Sequence, residues 1–341
     1  MEIKSEARLT TFEAISMIVG NSIGTGIIAV PYLATRNSIL DVVWMVGLAY
    51  IINVILHLII AELSYNNGGA QIFVNWFDLP LPAAQVLYYL LAGSVVFMGM
   101  KAVGIAQKYA VALLMGIVAV MTIATLLRPL NALYAAPFHL NNLLALYSMI
   151  VFATSANQAV IQVVKGLAGN AKKIRSTIFI GFGLSSLFVL VVTMSVLLGT
   201  KTDINKELAY MQLGESLGSW AVILAGIFSL FALLTTFWSN TLALRDVVHE
   251  QIGIGNRLSW LWATIPCVLF AVFGVSSFIV LTRVMSGVVV LVSIMLVLTY
   301  GKSRRKAGTS PICGMIGTVP FQVLMVLSTI VSAVGALLPL K

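Results

Sequence analysis

The chain has 341 residues, of which 60% are hydrophobic and 9% are charged, and its mean hydropathy is +1.03. Because soluble domains carry about 25% charged residues, this composition excludes a soluble globular protein and predicts an outer surface that faces lipid. The net charge of +9 indicates basic cytoplasmic loops, and without a soluble basic face we expect no nucleic-acid partner.

The apolar segments are long enough to cross about 30 Å of hydrocarbon as helices. We therefore predict an all-α polytopic membrane protein that forms a single transmembrane domain over residues 1–341. The ten visible spans are residues 10–35, 41–64, 83–102, 107–127, 142–166, 175–198, 217–244, 258–274, 276–300 and 316–339.

The positions of the basic residues predict a cytoplasmic N-terminus and conflict with the span count at one point. Between Lys4 and Arg8 at the N-terminus and Lys101 and Lys108 further on lie three predicted spans. Two cytoplasmic ends require an even number of spans. Either the loop with the two lysines lies outside, or one expected helix is missing, since residues 69–82 are too short and too interrupted to cross.

The first span contains Gly20-Asn-Ser-Ile-Gly-Thr-Gly26, a run of glycines and small polar residues inside an apolar helix. One interpretation is close helix packing through Gly20 and Gly24. The functional interpretation is an unwound joint, where N–H groups opening the second half-helix bind a carboxylate and carbonyls ending the first bind an ammonium or a cation. The candidate substrate-binding residues here are Asn21, Ser22, Ile23, Gly24, Thr25 and Gly26.

A second polar break falls near the middle of the span at 142–166. One interpretation is a polar seam that holds helices together. The functional interpretation is a second broken helix facing the first, as in transporters built from inverted repeats, where the broken helix of each half opens onto the substrate. The candidate substrate-binding residues here are Thr154, Ser155, Ala156, Asn157 and Gln158.

A third polar cluster lies in the span at 217–244. Thr235, Thr236 and Ser239 have the spacing of residues on one helical face. One interpretation is that these hydroxyls bond to carbonyls of the preceding turn. The other is that they bind a sodium ion together with carbonyls near Asn21, because hard cations prefer oxygen ligands.

Two ionisable side chains inside the predicted spans are candidates for proton coupling. Glu13 is expected to pair with a basic residue of an inner gate. For His57 we favour a hydrogen-bonded packing role over a proton relay. The chain has no spacing typical of a catalytic or metal site, so we predict neither an enzyme nor a cofactor, apart from Na⁺ or H⁺ as a coupling ion.

The motifs, in this order, resemble the amino acid–polyamine–organocation superfamily, and most closely its tyrosine/tryptophan-type and amino acid/auxin permeases. The similar segments are Gly20-Asn-Ser-Ile-Gly-Thr-Gly-Ile-Ile-Ala-Val-Pro-Tyr32, Phe152-Ala-Thr-Ser-Ala-Asn-Gln158, Lys165-Gly-Leu-Ala-Gly-Asn-Ala-Lys-Lys-Ile-Arg175, Leu234-Thr-Thr-Phe237 and Leu244-Arg-Asp246.

The resemblance implies a leucine-transporter-type inverted-repeat fold of eleven helices. The first repeat would cover residues 10–127, the second 142–300, and an extra C-terminal helix 316–339. In this alignment the span at 142–166 matches the family's sixth helix. The family's third helix is then missing, at the place where the span count fails.

The resemblance also implies a function: a permease of the cell membrane that carries amino acids by alternating access, coupled to H⁺ or Na⁺. The missing helix leaves three alternatives open. The first is a non-transporting receptor that binds an amino acid, and the second is a degenerate or engineered permease. The third is a permease completed by a helix of another subunit.

Overall fold

The computed structural model describes residues 9–23, 25–66, 94–131, 137–200, 204, 209–273, 294–302, 304 and 311–339. Within these ranges the regular structure is entirely helical, which confirms the predicted fold class. The helices are α1 (Thr11–Ser22), α2 (Thr25–Ala34), α3 (Ile39–Asn66), α4 (Met100–Leu126), α5 (Leu140–Ala153), α6 (Asn157–Gly166), α7 (Ala171–Gly199), α8 (Ala209–Leu217), α9 (Ser219–Ile252), α10 (Asn256–Phe273) and α11 (Val319–Leu337).

The described helices account for part of the predicted span count. Six segments are long and apolar enough to cross a membrane, and the bent pair α1 and α2 makes a seventh. Most of the predicted spans 83–102 and 276–300 lies outside the described residues, although residues 294–302 are helical. The predicted loss of the family's third helix also falls outside the described residues, at 67–93.

Two predicted boundaries are wrong, and in both cases paired charges explain the error. Helix α4 begins at Met100, whereas a loop was expected around Lys101 and Lys108. Both lysines are accommodated within the helix, because Lys101 pairs with Glu13 and the Lys108 ammonium lies 5.9 Å from the centre of the Phe12 ring. A charge with a partner on a neighbouring helix does not have to lie in a loop.

Helix α9 likewise extends beyond the predicted end at residue 244 and runs to Ile252. The continuation carries Arg245 and Asp246, whose side chains form an ion pair of 2.6 Å. Arg245 is buried, and it also donates to the carbonyl of Val96 at 3.3 Å. These contacts satisfy the guanidinium within the protein.

Helix α1 begins at a capping box. The Thr10 hydroxyl accepts from the Glu13 N–H at 3.2 Å, and the Thr10 N–H donates to the Glu13 carboxylate at 2.7 Å. This reciprocal pair satisfies two backbone N–H groups at the helix start. From this point α1 passes between α4, α7 and α9, with Ala14, Met17 and Ile18 fully buried.

The buried apolar side chains form two clusters that divide at the middle of the helices. One cluster contains Ile23 and Ala153, and the other contains Ile18 and Ala156. The polar breaks described below therefore lie at the boundary between two apolar layers. Large apolar side chains of α4 and α11 point outward, as expected for surfaces in lipid; they include Leu113, Val120, Ile123, Val323, Leu327 and Val331.

Candidate functional site: two facing helix breaks

The first break separates α1 from α2. Helix α1 ends at Ser22, α2 begins at Thr25, and the two half-helices are bent by 48°. Asn21, Ser22 and Ile23 are buried at the end of α1. Gly24 lies outside the described residues, as do the side-chain surroundings of Thr25 and Gly26.

The second break separates α5 from α6. Helix α5 ends at Ala153 and α6 begins at Asn157, so Thr154, Ser155 and Ala156 lie between them. The two half-helices together make one 27-residue segment long enough to cross a membrane. Gln158 follows in the first turn of α6, where it is half-buried.

The two breaks contact each other directly. The Asn21 side-chain amide donates to the carbonyl of Ser155, and the Ser22 hydroxyl donates to the carbonyl of Thr154, each at 3.4 Å. Both distances are longer than the 2.9 Å or so typical of strong protein hydrogen bonds. The polar groups of the first break are therefore held loosely against the carbonyls of the second.

Each break also holds a buried amide oxygen; the one in the first break has no hydrogen-bond partner among the described residues, whereas the Asn157 side chain of the second break bonds to His57. The two oxygens are Asn21 Oδ1 and Asn157 Oδ1. A buried acceptor without a partner is costly, and native proteins usually satisfy it with another group or a bound molecule. The pair of oxygens can accept hydrogen bonds from a donor such as an ammonium group.

Helix α3 supplies partners to the second break through Asn53 and His57. The Asn53 amide donates to the carbonyl of Val151 at 3.2 Å and to the Thr154 hydroxyl at 2.7 Å. His57 Nε2 accepts from the Ala156 N–H at 3.0 Å, while Nδ1 lies 2.6 Å from the Asn53 carbonyl. His57 was a candidate from the sequence, whereas Asn53, four residues earlier on the same face of α3, was not.

The predicted cation ligands are only partly brought together. The Thr236 hydroxyl lies 3.4 Å from the carbonyl of Asn21 and 3.2 Å from that of Ala232. The Thr235 hydroxyl donates to the same Ala232 carbonyl at 3.0 Å. Thr236, Thr235 and two backbone carbonyls thus offer oxygen atoms where α1 ends against α9. Both hydroxyls also bond to the preceding turn, as the alternative interpretation required.

Ser239 is turned toward α4 instead. Its hydroxyl accepts from Gln107 Nε2 at 2.6 Å, and the same nitrogen donates to the Thr235 carbonyl at 3.0 Å. Gln107 is fully buried and was missed in the sequence analysis, where no local pattern marked it. It ties α4 to α9 next to the candidate cation ligands.

Gly20 lies on α1 where the helix faces Gln107 of α4 and Thr235 of α9. A Cβ atom at this position would overlap Gln107 Oε1 and come within 3.2 Å of Thr235 Cβ. For Gly20 the packing interpretation is therefore supported by the structure. The glycine makes room for the buried glutamine.

Glu13 pairs with Lys101, whose ammonium lies 2.9 and 2.7 Å from the two carboxylate oxygens. At the same end of the helices, the Leu9 N–H donates to the Gly166 carbonyl at 2.9 Å, which joins the start of α1 to the end of α6. At the other end, Asn37 donates to the Asn142 carbonyl at 3.3 Å, which joins the end of α2 to α5. The two broken helices are thus connected at both ends and at their breaks.

Helices broken at mid-length around a shared polar centre are typical of leucine-transporter-type folds, and the comparison with solved structures shows this fold. No family model and no curated protein matches the sequence. The structure is similar to that of Mhp1, a nucleobase-cation-symport-1 family transporter, in a closed conformation with bromovinylhydantoin bound. The TM-score is 0.64 at 11% identity, over 98% of this chain and 91% of that chain.

At this identity the likeness to Mhp1 defines the fold alone. The chain is a multi-pass membrane protein of the leucine-transporter-type fold. The predicted membership of the amino-acid permeases stays a prediction.

Proposed function

We propose that the chain is a secondary active transporter for amino acids that works by alternating access around the two facing breaks. The observation that carries this proposal is the direct contact of the breaks, through Asn21 with Ser155 and Ser22 with Thr154. Long hydrogen bonds and the unpartnered Asn21 Oδ1 at the same place support a polar site that a ligand completes. The site residues are those named in the sequence analysis.

The polarity of the helix ends supports a zwitterionic substrate. The start of α2 at Thr25 presents the positive end of a helix dipole, which favours a carboxylate. The end of α5 at Ala153 presents carbonyls, and Asn21 Oδ1 and Asn157 Oδ1 add two further acceptors for an ammonium. An α-amino acid carries both charges on adjacent groups.

The surroundings of the ionisable residues favour sodium over protons as the coupling ion. Thr236 and the carbonyls of Asn21 and Ala232 offer oxygen ligands at the break itself. Both ring nitrogens of His57 are engaged by backbone groups, and the Glu13 carboxylate is engaged by Lys101 and by the start of its own helix. Neither side chain is free to exchange protons without losing its present partners.

We further propose that the protein lies in the cell membrane with a cytoplasmic N-terminus and with two inverted repeats over residues 10–127 and 142–300. Support for the orientation comes from the basic residues in the last turn of α6 and the first turns of α7, since such residues favour the cytoplasmic side. These residues are Lys165, Lys172, Lys173 and Arg175.

The bound ligand of the structural neighbour points to a second candidate substrate. Mhp1 is described with bromovinylhydantoin bound, so hydantoins and nucleobases belong in any test. A neutral planar ring would donate hydrogen bonds to the amide oxygens. It would leave the positive dipole end of α2 and the negative dipole end of α5 without opposite charges.

The test is uptake into proteoliposomes. Amino acids, hydantoins and nucleobases are each supplied with an inward sodium gradient, an inward proton gradient or neither. The proposal expects accumulation of an amino acid that follows the sodium gradient. Uptake of a hydantoin or nucleobase alone would replace the substrate class, and binding without uptake would favour the receptor alternative. Gly24→Leu should abolish amino-acid binding, since its side chain would fill the predicted joint.

A further inference from the structure

We infer that Asn53 and His57 are positioning residues that hold the α5–α6 break in its binding geometry, and that His57 does so as a fixed neutral imidazole. This inference rests on the proposed function, because it deepens the description of the same site. The two side chains belong to α3, which contributes no residue to either break.

The break exposes backbone groups that a continuous helix would satisfy. The Ala156 N–H at the start of α6 and the Val151 carbonyl near the end of α5 both need partners outside their own helices. In hydrocarbon such groups persist only where the protein itself satisfies them. A broken span therefore requires a neighbouring helix with a suitable donor and acceptor.

Helix α3 carries this donor and acceptor one turn apart on a single face. Asn53 donates on the α5 side of the break, to the Val151 carbonyl and the Thr154 hydroxyl. His57 accepts on the α6 side, from the Ala156 N–H. Both side chains are fully buried, so water does not compete for these bonds.

The partners of His57 also fix its tautomer. The Asn53 carbonyl is only an acceptor, so the Nδ1 atom 2.6 Å away carries the hydrogen. The Ala156 N–H is only a donor, so Nε2 presents its lone pair. The Phe182 ring packs against the imidazole with a centroid distance of 4.1 Å. The uncharged Asn157 side chain also bonds to the ring. Protonation at Nε2 would set its N–H against the Ala156 N–H and release the start of α6.

The geometry determines which groups of the break remain for a ligand. Asn53 and His57 take the groups that face α3, while the carbonyls of Thr154 and Ser155 face the first break, where they receive the long bonds from Ser22 and Asn21. If the α3 bonds are lost, the same carbonyls move away from the first break. Substrate affinity should then fall even though no substrate contact has been removed.

The test compares His57→Gln with His57→Leu. A glutamine can place an amide oxygen where Nε2 lies and accept from the Ala156 N–H, whereas a leucine leaves that N–H without a partner. We expect His57→Leu to weaken substrate binding about tenfold, and His57→Gln to restore most of the affinity. His249→Leu is the control, since His249 is exposed in the last turn of α9, well beyond Thr236, where α9 meets the first break.

A second measurement on the unsubstituted protein keeps the inference testable if the leucine variant does not fold. With ¹⁵N-labelled histidine, the His57 signals should report a protonated Nδ1 and an unprotonated Nε2 bonded to an N–H, unchanged from pH 8 to pH 5. A doubly protonated His57 ring between pH 8 and pH 5 would overturn the inference. A His57→Leu variant that binds substrate as tightly as the unsubstituted protein would overturn it as well. If the protein binds no amino acid, the proposed function fails, while the nitrogen signals still decide the role of His57.

Discussion

The ammonium of Lys101 lies within 2.9 Å of both carboxylate oxygens of Glu13 and so joins the first turn of α1 to the start of α4. The two partners are unequally buried: the Lys101 side chain is 35% exposed and that of Glu13 is 7% exposed. The loss of Lys101 therefore has a different consequence from the loss of Glu13. A lone Lys101 can reach water, whereas a lone Glu13 carboxylate stays buried.

This asymmetry predicts that Lys101→Met destabilises the protein more than Glu13→Gln does. Removal of the lysine leaves a buried charge and should cost about 2–3 kcal/mol, a value reduced for the partial exposure of the pair. Glutamine keeps the capping box and should cost about 1 kcal/mol or less. Thermal unfolding in detergent measures both variants.

The double variant Glu13→Gln with Lys101→Met provides the check on this explanation. It should be more stable than Lys101→Met alone, because the unpaired carboxylate is gone. Additive losses in the double variant would contradict a direct interaction between the two side chains.

The approach of Thr236 to the Asn21 carbonyl predicts a specific effect on sodium. In Thr236→Val, a methyl group replaces the hydroxyl that lies 3.4 Å from that carbonyl, and the apparent sodium affinity should fall about tenfold, while thermal stability changes little. The measurement is sodium-dependent stabilisation or substrate binding at several sodium concentrations.

Thr264→Val is the matched control for Thr236→Val. The Thr264 hydroxyl is also buried and donates to the carbonyl of Trp260 in its own helix at 2.6 Å. It lies in α10, and its substitution should leave the sodium dependence unchanged. An equal loss in both variants would mean that Thr236 acts only through its helix.

The sequence alone predicted both helix breaks to within a residue or two, because glycine, serine, threonine and asparagine inside an apolar run are a local signal. The partners of the second break could not be predicted in this way. Asn53 and Thr154 are 101 residues apart, and nothing in the local sequence of α3 indicates which helix it faces. Long-range pairing also explains the wrong start of α4, because Lys101 resembles a loop residue until Glu13 is placed beside it.

Gly20→Ala is expected to disturb the site through Gln107. The added methyl group would overlap Gln107 Oε1, and a displaced glutamine would leave the Thr235 carbonyl and the Ser239 hydroxyl without their donor. A cost of about 1–3 kcal/mol is expected from overpacking together with these lost bonds. Thermal unfolding gives the stability, and sodium titration should show a weaker site, because Thr235 is displaced as well.

Gly116→Ala serves as the control for Gly20→Ala. Gly116 lies in α4, and apart from the backbone of its own helix turns no atom is within 4 Å of the position that a Cβ would take there. Alanine should therefore stabilise the helix by about 0.5–1 kcal/mol through its higher helix propensity. A loss of stability at Gly116 would show that glycine substitutions harm these helices for reasons other than crowding.

Gly335→Ala should be more harmful than Gly20→Ala, because the obstacle is backbone and not a side chain. A Cβ at Gly335 in α11 would overlap the carbonyl oxygen of Leu144 in α5 and come within 2.6 Å of its carbonyl carbon. The Gln107 side chain can rotate away from a methyl group added at Gly20, but the Leu144 carbonyl can move only with the whole of α5. Because α5 ends at the second break, separation of α11 from α5 should lower both stability and substrate affinity. Thermal unfolding and ligand binding measured on the same sample test this, and a loss of stability with unchanged affinity would show that α5 keeps its position without α11.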